Sequence, residues 1–157
     1  MKFIDEATIY VKSGNGGNGG VSFRREANIL LGGPDGGNGG RGGHVIFEAT
    51  HSINTLIDYR FKQHHTARNG EGGKGQHKHG KNANDITLRV PVGTQILAEN
   101  GLILADLNKD QESVIIATGG KGGLGNSAYK SSVNRTPRKA QSGGLGEELP
   151  VVLQLKV

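Results

Sequence analysis

The sequence predicts a mostly β protein with much irregular structure, in which glycine-rich extended segments pack together and many short strands form a small barrel or sandwich. Among its 157 residues are 28 glycines, and only 33% are hydrophobic, which is too few for a conventional core over the whole length. The glycines recur with a period of three, as in the run GGPDGGNGGRGG from Gly32 to Gly43. Several short runs alternate as strands do, and none has the long apolar period of an amphipathic helix.

A period of three fits neither an α-helix nor a strand. It fits the polyproline II helix, which has three residues per turn and no internal hydrogen bonds. In that conformation a GGX repeat has two edges without side chains, so neighbouring backbones can approach closely. Any one of these runs alone reads as a flexible linker, but their shared period predicts that they pack together. The structural glycines are predicted to be Gly16, Gly17, Gly36, Gly37, Gly39, Gly40, Gly119, Gly120, Gly122 and Gly123.

Strand-like runs separate the glycine runs. The first covers residues 3–12, with Ile9 and Val11 on one face. The others are predicted, in chain order, at residues 21–25, 27–31, 44–49, 85–98, 102–107, 113–117 and 149–157. Val45 and Phe47 share a face, and Asn100-Gly101 predicts a type I′ hairpin turn. The residues predicted to be buried in the barrel are Ile86, Leu88, Val90, Leu104, Ile115 and Val152.

Two long polar stretches are predicted to be loops. Residues 61–81 are rich in Gly, His, Lys and Arg, and residues 130–141 are polar and basic. Residues 52–59 fit either a strand or one helical turn. The last strand-like run continues to the final residue without a polar tail, which suggests a domain boundary there.

The positive charge is concentrated in these loops. The net charge is +5, and most acids lie in or beside the strand-like runs. Aromatic residues make up only 4%, so a base-stacking platform is not expected. We expect contacts to the phosphates and sugars of a folded RNA instead. The predicted RNA-binding residues are Arg24, Arg25, Arg68, Lys74, His77, Lys78, His79, Lys81, Lys130, Arg135, Arg138 and Lys139.

The usual enzyme motifs do not hold up. The run from Gly14 to Gly19 matches G-x-G-x-x-G, but no helix is predicted after it to hold a pyrophosphate. A Walker-type phosphate loop is missing, and the absence of cysteine excludes thiolate chemistry. The His77-Lys78-His79 cluster has no acidic neighbours, which argues against a metal. We expect no catalytic residue, no metal and no membrane span, in a cytoplasmic protein.

Several motifs in order resemble one family. The runs MKFIDEATIYVKSGNGGNGGVSFRRE, GGPDGGNGGRGGHVIF, NGEGGKGQHKHGKN, LRVPVGT and ATGGKGGLGN together resemble the N-terminal domain of bacterial Obg (CgtA-type) GTPases. This resemblance covers essentially the whole chain and implies one Obg domain over residues 1–157, with the glycine-helix bundle and barrel of the Obg fold. Full-length members carry a GTPase domain that binds GTP or GDP and Mg²⁺. Its guanine-reading N-K-x-D motif has no match here, since Asp110 comes one position early.

The resemblance also implies a function. This domain is expected to bind the large ribosomal subunit, inserting its loops at the peptidyl-transferase region as a tRNA acceptor end does, in ribosome biogenesis and in stress and growth control. The alternative is a regulatory or protein-docking module for its own GTPase domain or other partners. A structural glycine bundle of the ice-binding kind is disfavoured by the basic loops. An alarmone nucleotide is left open as a further partner, and the expected state is a monomer.

Overall fold

The computed structural model describes residues 3–25 and 32–156. Within these residues the regular elements are strands, with one short helix (α1) and one 3₁₀ turn. The mostly β prediction is therefore confirmed. The elements are β1 (Phe3–Lys12), β2 (Val45–Thr50), α1 (Ile57–Phe61), β3 (His64–Thr66), β4 (Ile86–Pro91), β5 (Thr94–Ala98), β6 (Ile103–Leu107), β7 (Ser113–Ala117), the 3₁₀ turn (Asn126–Tyr129) and β8 (Glu148–Lys156).

The strands form two sheets. The larger has the order β3-β1-β8-β5-β6, and the smaller has the order β4-β2-β7. The pairs β1–β3 and β2–β4 are parallel, and the other pairs are antiparallel. The predicted small barrel is not confirmed, because the strands of residues 3–25 and 32–156 form two open sheets. Parallel pairs need long crossover connections, and much of the connecting chain here is taken up by the glycine segments.

The hydrophobic core lies in these sheets. The predicted faces of β1 and β2 are confirmed, because Ile9, Val11, Val45 and Phe47 are fully buried. Leu88 and Val90 are also buried as predicted, whereas Ile86 and Leu104 are only partly buried.

Two core predictions are wrong. Ile115 is half exposed. On β8 the buried side chains are Val151, Leu153 and Leu155, so Val152 points to the opposite face. Both strands carry apolar residues at consecutive positions, and for such runs alternation alone does not fix which face is buried.

The predicted hairpin is confirmed, but its turn type is not. β5 and β6 pair around Asn100-Gly101. A type I′ turn requires positive φ at both central residues, and here Gly101 has φ 89° while Asn100 is not among the described residues with positive φ. The Asn100 side chain instead accepts a hydrogen bond from the Leu102 N–H at 3.1 Å.

Other local expectations are refined. The undecided stretch 52–59 ends in the short helix α1, and the loop predicted over 61–81 contains β3. Residues 21–25 form no strand but a single bridge between Phe23 and Pro34. The strand-like run at 27–31 lies outside the described residues. No helix among the described residues has the length and apolarity needed to cross a bilayer.

The glycine-rich chain forms six extended segments. We number them segment 1 (residues 13–20), segment 2 (34–43), segment 3 (68–75), segment 4 (78–84), segment 5 (119–125) and segment 6 (141–146). Segments 1, 3 and 5 leave the strands β1, β3 and β7, while segments 2, 4 and 6 lead back into β2, β4 and β8. The chain thus makes three excursions from the sheets, each consisting of an outward and a returning segment.

Backbone hydrogen bonds join these segments at three-residue intervals. The N–H groups of Gly37, Gly40 and Gly43 donate to the carbonyls of Lys74, Glu71 and Arg68, all at 2.8–2.9 Å. The same spacing joins Gly14, Gly17 and Gly20 to the carbonyls of Gly43, Gly40 and Gly37. The hydrogen bonding therefore has the period of the glycine repeat.

The glycines lie where two backbones meet. A Cβ built on Gly40 would overlap the Lys81 carbonyl, and one on Gly39 would overlap the Gly17 carbonyl. Each predicted structural glycine has such a carbonyl from another segment against it: Gly16, Gly17, Gly36, Gly37, Gly39, Gly40, Gly119, Gly120, Gly122 and Gly123. A residue with a side chain fits there only if the backbone is displaced.

Candidate functional site at the tip of the glycine segments

The ends of the segments far from the sheets form what we call the tip: residues 21–25, 33–36, 74–78 and 126–139. Its centre is Asn126, which has no exposed surface. The Asn126 Oδ1 accepts from the Gly36 N–H at 2.9 Å, and its Nδ2 donates to the carbonyls of Ser22 (3.0 Å) and Pro137 (3.1 Å). One buried amide thus holds three of these chain stretches together.

A cleft of about 890 Å³ opens at the tip, lined by residues 21–25, Asp35 and residues 74–78. The Asp35 N–H donates to the Ser22 carbonyl at 2.9 Å, and the His77 N–H donates to the Asp35 carbonyl at 2.7 Å. Through Asp35, these bonds bring residues 21–25 against residues 74–78. Five predicted RNA-binding residues line this one cleft: Arg24, Arg25, Lys74, His77 and Lys78.

The basic stretch at residues 126–139 packs against residues 21–25. The Arg138 guanidinium lies over the Phe23 ring, 5.8 Å from its centroid, and the Lys139 ammonium lies over Tyr129 at 4.7 Å. A Cβ built on Gly33 would be 3.6 Å from the Lys130 Nζ, so this ammonium also lies at the tip. Arg135 is on the exposed stretch that follows the turn in which the Ser131 N–H donates to the Asn134 carbonyl.

Three predicted residues lie outside the tip: His79, just beyond it on segment 4, Lys81 and Arg68. Lys81 is partway along segment 4, where its carbonyl accepts from the Glu71 N–H. Arg68 begins segment 3, and its carbonyl accepts from the Gly43 N–H beside the sheets. Arg68 is six residues from Lys74 along an extended segment, roughly 18 Å at about 3.1 Å per residue.

The two predicted histidines differ in role. His77 is the second of two consecutive residues with positive φ, Gln76 (61°) and His77 (55°), in the tight turn that joins segments 3 and 4. Positive φ at two non-glycine residues is strained backbone. The His79 ring instead accepts the Asn38 N–H at its Nδ1 (2.9 Å). This bond requires an unprotonated Nδ1, so His79 holds segment 4 to segment 2.

Asp35 is the acid that sequence reasoning missed. It is 5% exposed, and its Oδ1 is buried with no hydrogen-bond partner among the described residues. The available signal is its position: residues 32–43 contain no other acid. Phe23 and Asn126 were also missed, because a single aromatic residue or asparagine beside a glycine run carries no chemical signature of its own.

A smaller cleft of about 300 Å³ lies beside α1 and contains Tyr59 and His65. Burial, together with the charge of Asp58, raises the pKa of Tyr59 to about 12, and burial lowers the pKa of His65. Both polar atoms are already engaged, Tyr59 with the Arg89 carbonyl and His65 with the Lys62 carbonyl. We assign this cleft a structural role. Among the described residues no group of three or more His, Cys, Asp or Glu could hold a metal.

Comparison with known proteins places these features in a family. The family model described as GTP1/OBG matches residues 4–157. The chain is 53% identical over 157 residues to a protein named GTPase Obg from Pelagibacter ubique (strain HTCC1062), covering 99% of this chain and 48% of that protein. It is 54% identical to GTPase Obg of Rickettsia bellii (strain RML369-C), over 100% of this chain and 48% of that protein.

A third relative gives a similar result. GTPase Obg of Persephonella marina (strain DSM 14350 / EX-H1) is 52% identical over 158 residues, covering 100% of this chain and 46% of that protein. The chain therefore spans about half the length of these relatives.

Proposed function

Since the chain belongs to the GTP1/OBG family, we propose that it is the ribosomal-RNA-binding part of a longer GTPase and that its tip is the surface that meets RNA. The relatives are named GTPases, so we assign GTP hydrolysis, with Mg²⁺, to sequence beyond these 157 residues. The proposal includes a cytoplasmic role in assembly of the large subunit and in stress and growth control.

The observation that carries this proposal is the convergence of like charges. Arg24, Arg25, Lys74 and Lys78 come from two distant parts of the chain and line one cleft, and the loop with Lys130 and Arg138 packs beside it. Glu71 lies 3.7 Å from Lys74 and offsets part of this charge, but like charges that outnumber the nearby acids still repel at short range and attract an anion. A phosphate backbone supplies that anion, because it neutralises several cations at once with release of counterions.

The shape of the molecule supports the same partner. The six segments carry the tip away from the sheets, which suits insertion into a narrow ribosomal cavity such as the peptidyl-transferase region. We further propose that the segments are polyproline II helices. Their three-residue hydrogen-bond interval supports this, as do the φ of −71° and ψ of 165° at Gly125.

Binding of the chain to purified large ribosomal subunits tests the proposal. We expect log affinity to fall linearly with log salt concentration, with a slope of roughly −0.7 to −0.9 per phosphate contact. The double change Lys74→Glu with Lys78→Glu should reduce both the affinity and the slope. The matched control is Lys62→Glu with Lys109→Glu, which makes the same charge change near the sheets. Equal effects of the two pairs, or no salt dependence, would remove the tip as the interface.

A second candidate function is docking of the family's GTPase domain or another protein on the sheets. Leu102, Ile103 and Ile115 are each at least half exposed near the edge strands β6 and β7. Exposed apolar side chains on a sheet favour a protein partner. In that case Ile103→Ser with Ile115→Ser should weaken association with the missing half of the protein, while the tip variants leave it unchanged.

A further inference from the structure

We propose that the tip cleft binds one nucleotide, and that Asp35 accepts a hydrogen bond from an exocyclic amino group of its base. This deepens the proposed function and rests on it for the source of the nucleotide, which is either a residue of an RNA strand or a free nucleotide. The argument starts from the mismatch between Asp35 and its surroundings.

The Asp35 Oδ1 needs a donor that the described residues do not supply. It is buried and unpartnered at a cleft large enough for a small ligand. A carboxylate oxygen left without a hydrogen bond in a buried position is unfavourable. Gly75 lies over this oxygen, and a Cβ built there would be 3.8 Å from it. The Ser22 Oγ would be only 2.6 Å from the same Cβ position, so a ligand group reaches the Asp35 Oδ1 when the Ser22 hydroxyl turns aside.

The remaining lining restricts the ligand class. Arg24, Arg25, Lys74 and Lys78 surround the cleft, so a simple cation is repelled. A bare anion is attracted by these cations but is repelled by Asp35 and leaves its Oδ1 without a donor. The ligand must therefore carry an anionic group and an N–H or O–H donor at different places.

The Phe23 ring indicates that the hydrogen-bond donor of the ligand belongs to a flat ring. Its side chain lines the cleft, and Arg138 lies over the ring. Aromatic side chains backed by arginine are stacking surfaces for nucleobases. A nucleotide meets all three requirements: a phosphate for the cations, a base for Phe23 and an amino group for Asp35. Guanine, adenine and cytosine have that amino group.

The assigned role and a purely electrostatic role of Asp35 predict opposite effects of Asp35→Asn on ligand affinity. If Asp35 is only an acid within a basic surface, then Asp35→Asn removes a repulsive charge and strengthens binding of every anion. If Asp35 accepts from the base, the same change weakens binding only of nucleotides that carry the amino group.

The experiment uses the 157-residue chain and two matched ligand pairs, in which one member lacks only the amino group. These are guanosine and inosine 5′-monophosphates, and adenosine and purine riboside 5′-monophosphates. We expect at least one amino-bearing member to bind five-fold or more tightly than its partner, measured by titration calorimetry. In Asp35→Asn this difference should fall at least two-fold, because the amide oxygen that remains is a weaker acceptor than a carboxylate oxygen. The control Asp58→Asn, the same change of charge on α1, should keep it.

A second variant does not alter the charge. Gly75→Ala places a methyl group near the Asp35 Oδ1, displacing only the Ser22 side chain, whose Oγ would be 2.6 Å away. It should reduce the same preference. The inference is overturned if no member of either pair binds, if neither pair is discriminated by the unmodified chain, or if the preference survives in both Asp35→Asn and Gly75→Ala.

A further arm identifies the source. Trinucleotides containing the preferred base should bind at least ten-fold more tightly than the mononucleotide if the ligand belongs to an RNA strand, and equally if it is free. Discrimination of the pairs without any binding to large subunits would remove the proposed function and leave this inference standing. Salt-dependent subunit binding without discrimination would do the reverse.

Discussion

Asn126 shows how much one side chain contributes to the tip. Its amide is fully buried and contacts the backbone of Ser22, Gly36 and Pro137. The contacts with Gly36 and Pro137 satisfy buried backbone groups. The centre of the tip is therefore held by polar contacts.

Replacing this amide should be costly. Asn126→Ala leaves the Gly36 N–H and the Pro137 carbonyl without their partner, and each unsatisfied buried group costs about 1–3 kcal/mol. We expect the free energy of unfolding to fall by about 2–4 kcal/mol, measured with chemical denaturant. Asn54→Ala, at an exposed asparagine, should change it by less than about 0.5 kcal/mol. A loss below 1 kcal/mol for Asn126→Ala would mean that other contacts hold the tip.

Asp85 makes stability depend on pH at the opposite end of the segments. Its Oδ1 accepts from the His44 N–H at 2.8 Å and lies 3.1 Å from the Arg41 Nη1. The His44 hydrogen bond first, and Arg41 after it, hold the pKa of Asp85 below its ordinary value of 3.8, against the opposing effect of burial. Because the folded pKa is lower than the unfolded one, the stabilisation is complete above about pH 4 and is lost as pH falls through the folded pKa.

The corresponding variant is Asp85→Asn, which keeps the shape but not the charge. It should lose about 1 kcal/mol of stability at pH 7, since charge-assisted hydrogen bonds are stronger than neutral ones by about that amount. Denaturant unfolding at pH 7 and pH 2 measures the difference, which should narrow at pH 2. A difference that does not change with pH would contradict this role of the carboxylate.

At the scale of elements, the glycine repeat could be read in advance because its chemistry is local. Gly39 and Gly40 are needed where two backbones touch, and the period of three appears directly in the sequence. The strand phases were harder, since β8 has apolar residues on both faces. Which of Val151 and Val152 is buried depends on where the neighbouring sheet lies. The sequence of one strand does not contain that information.

Two glycines of the segments, Gly40 and Gly72, differ in how closely another backbone approaches them. Gly40→Ala brings a Cβ onto the Lys81 carbonyl, whereas at Gly72 the nearest atom, the Asn18 carbonyl oxygen, would be 3.7 Å away. We expect Gly40→Ala to lower the free energy of unfolding by at least about 3 kcal/mol, because the backbone must move. Gly72→Ala should be neutral or stabilise by up to about 1 kcal/mol through the unfolded chain. Similar thermal unfolding of the two variants would refute the close packing of the segments.

The candidate site, like the strand phases, could be predicted from the sequence only in part. The basic residues near the glycine runs were visible in the sequence, and most of them do lie at the tip. Their grouping around one cleft depends on Asp35, whose backbone bonds to Ser22 and His77, and on Asn126, which bonds to Ser22 across a separation of 104 residues. No local pattern encodes such pairings.

For the molecule as a whole, burial is divided unequally. The buried apolar side chains belong almost entirely to the sheets, and the segments are joined by backbone hydrogen bonds. Exposing apolar surface raises the heat capacity on unfolding, and exposing polar surface lowers it. We therefore expect a heat capacity change below the usual value of about 12–15 cal/mol/K per residue, measured by differential scanning calorimetry. A value at or above that range would imply an apolar core in the glycine part.

The interleaving of the six segments also constrains synthesis of the chain. Asn15 receives a hydrogen bond from Gly146, 131 residues later, so a nascent segment 1 has no complete set of neighbours until nearly the whole chain has emerged. At about 5–20 residues per second, that delay is on the order of ten seconds. During it, unpaired strand-forming stretches of ordinary composition tend to aggregate. Segment 1 consists mainly of glycine and asparagine, so it offers almost no apolar side chain to another chain, and the repeat that permits close packing also protects the polypeptide before packing begins.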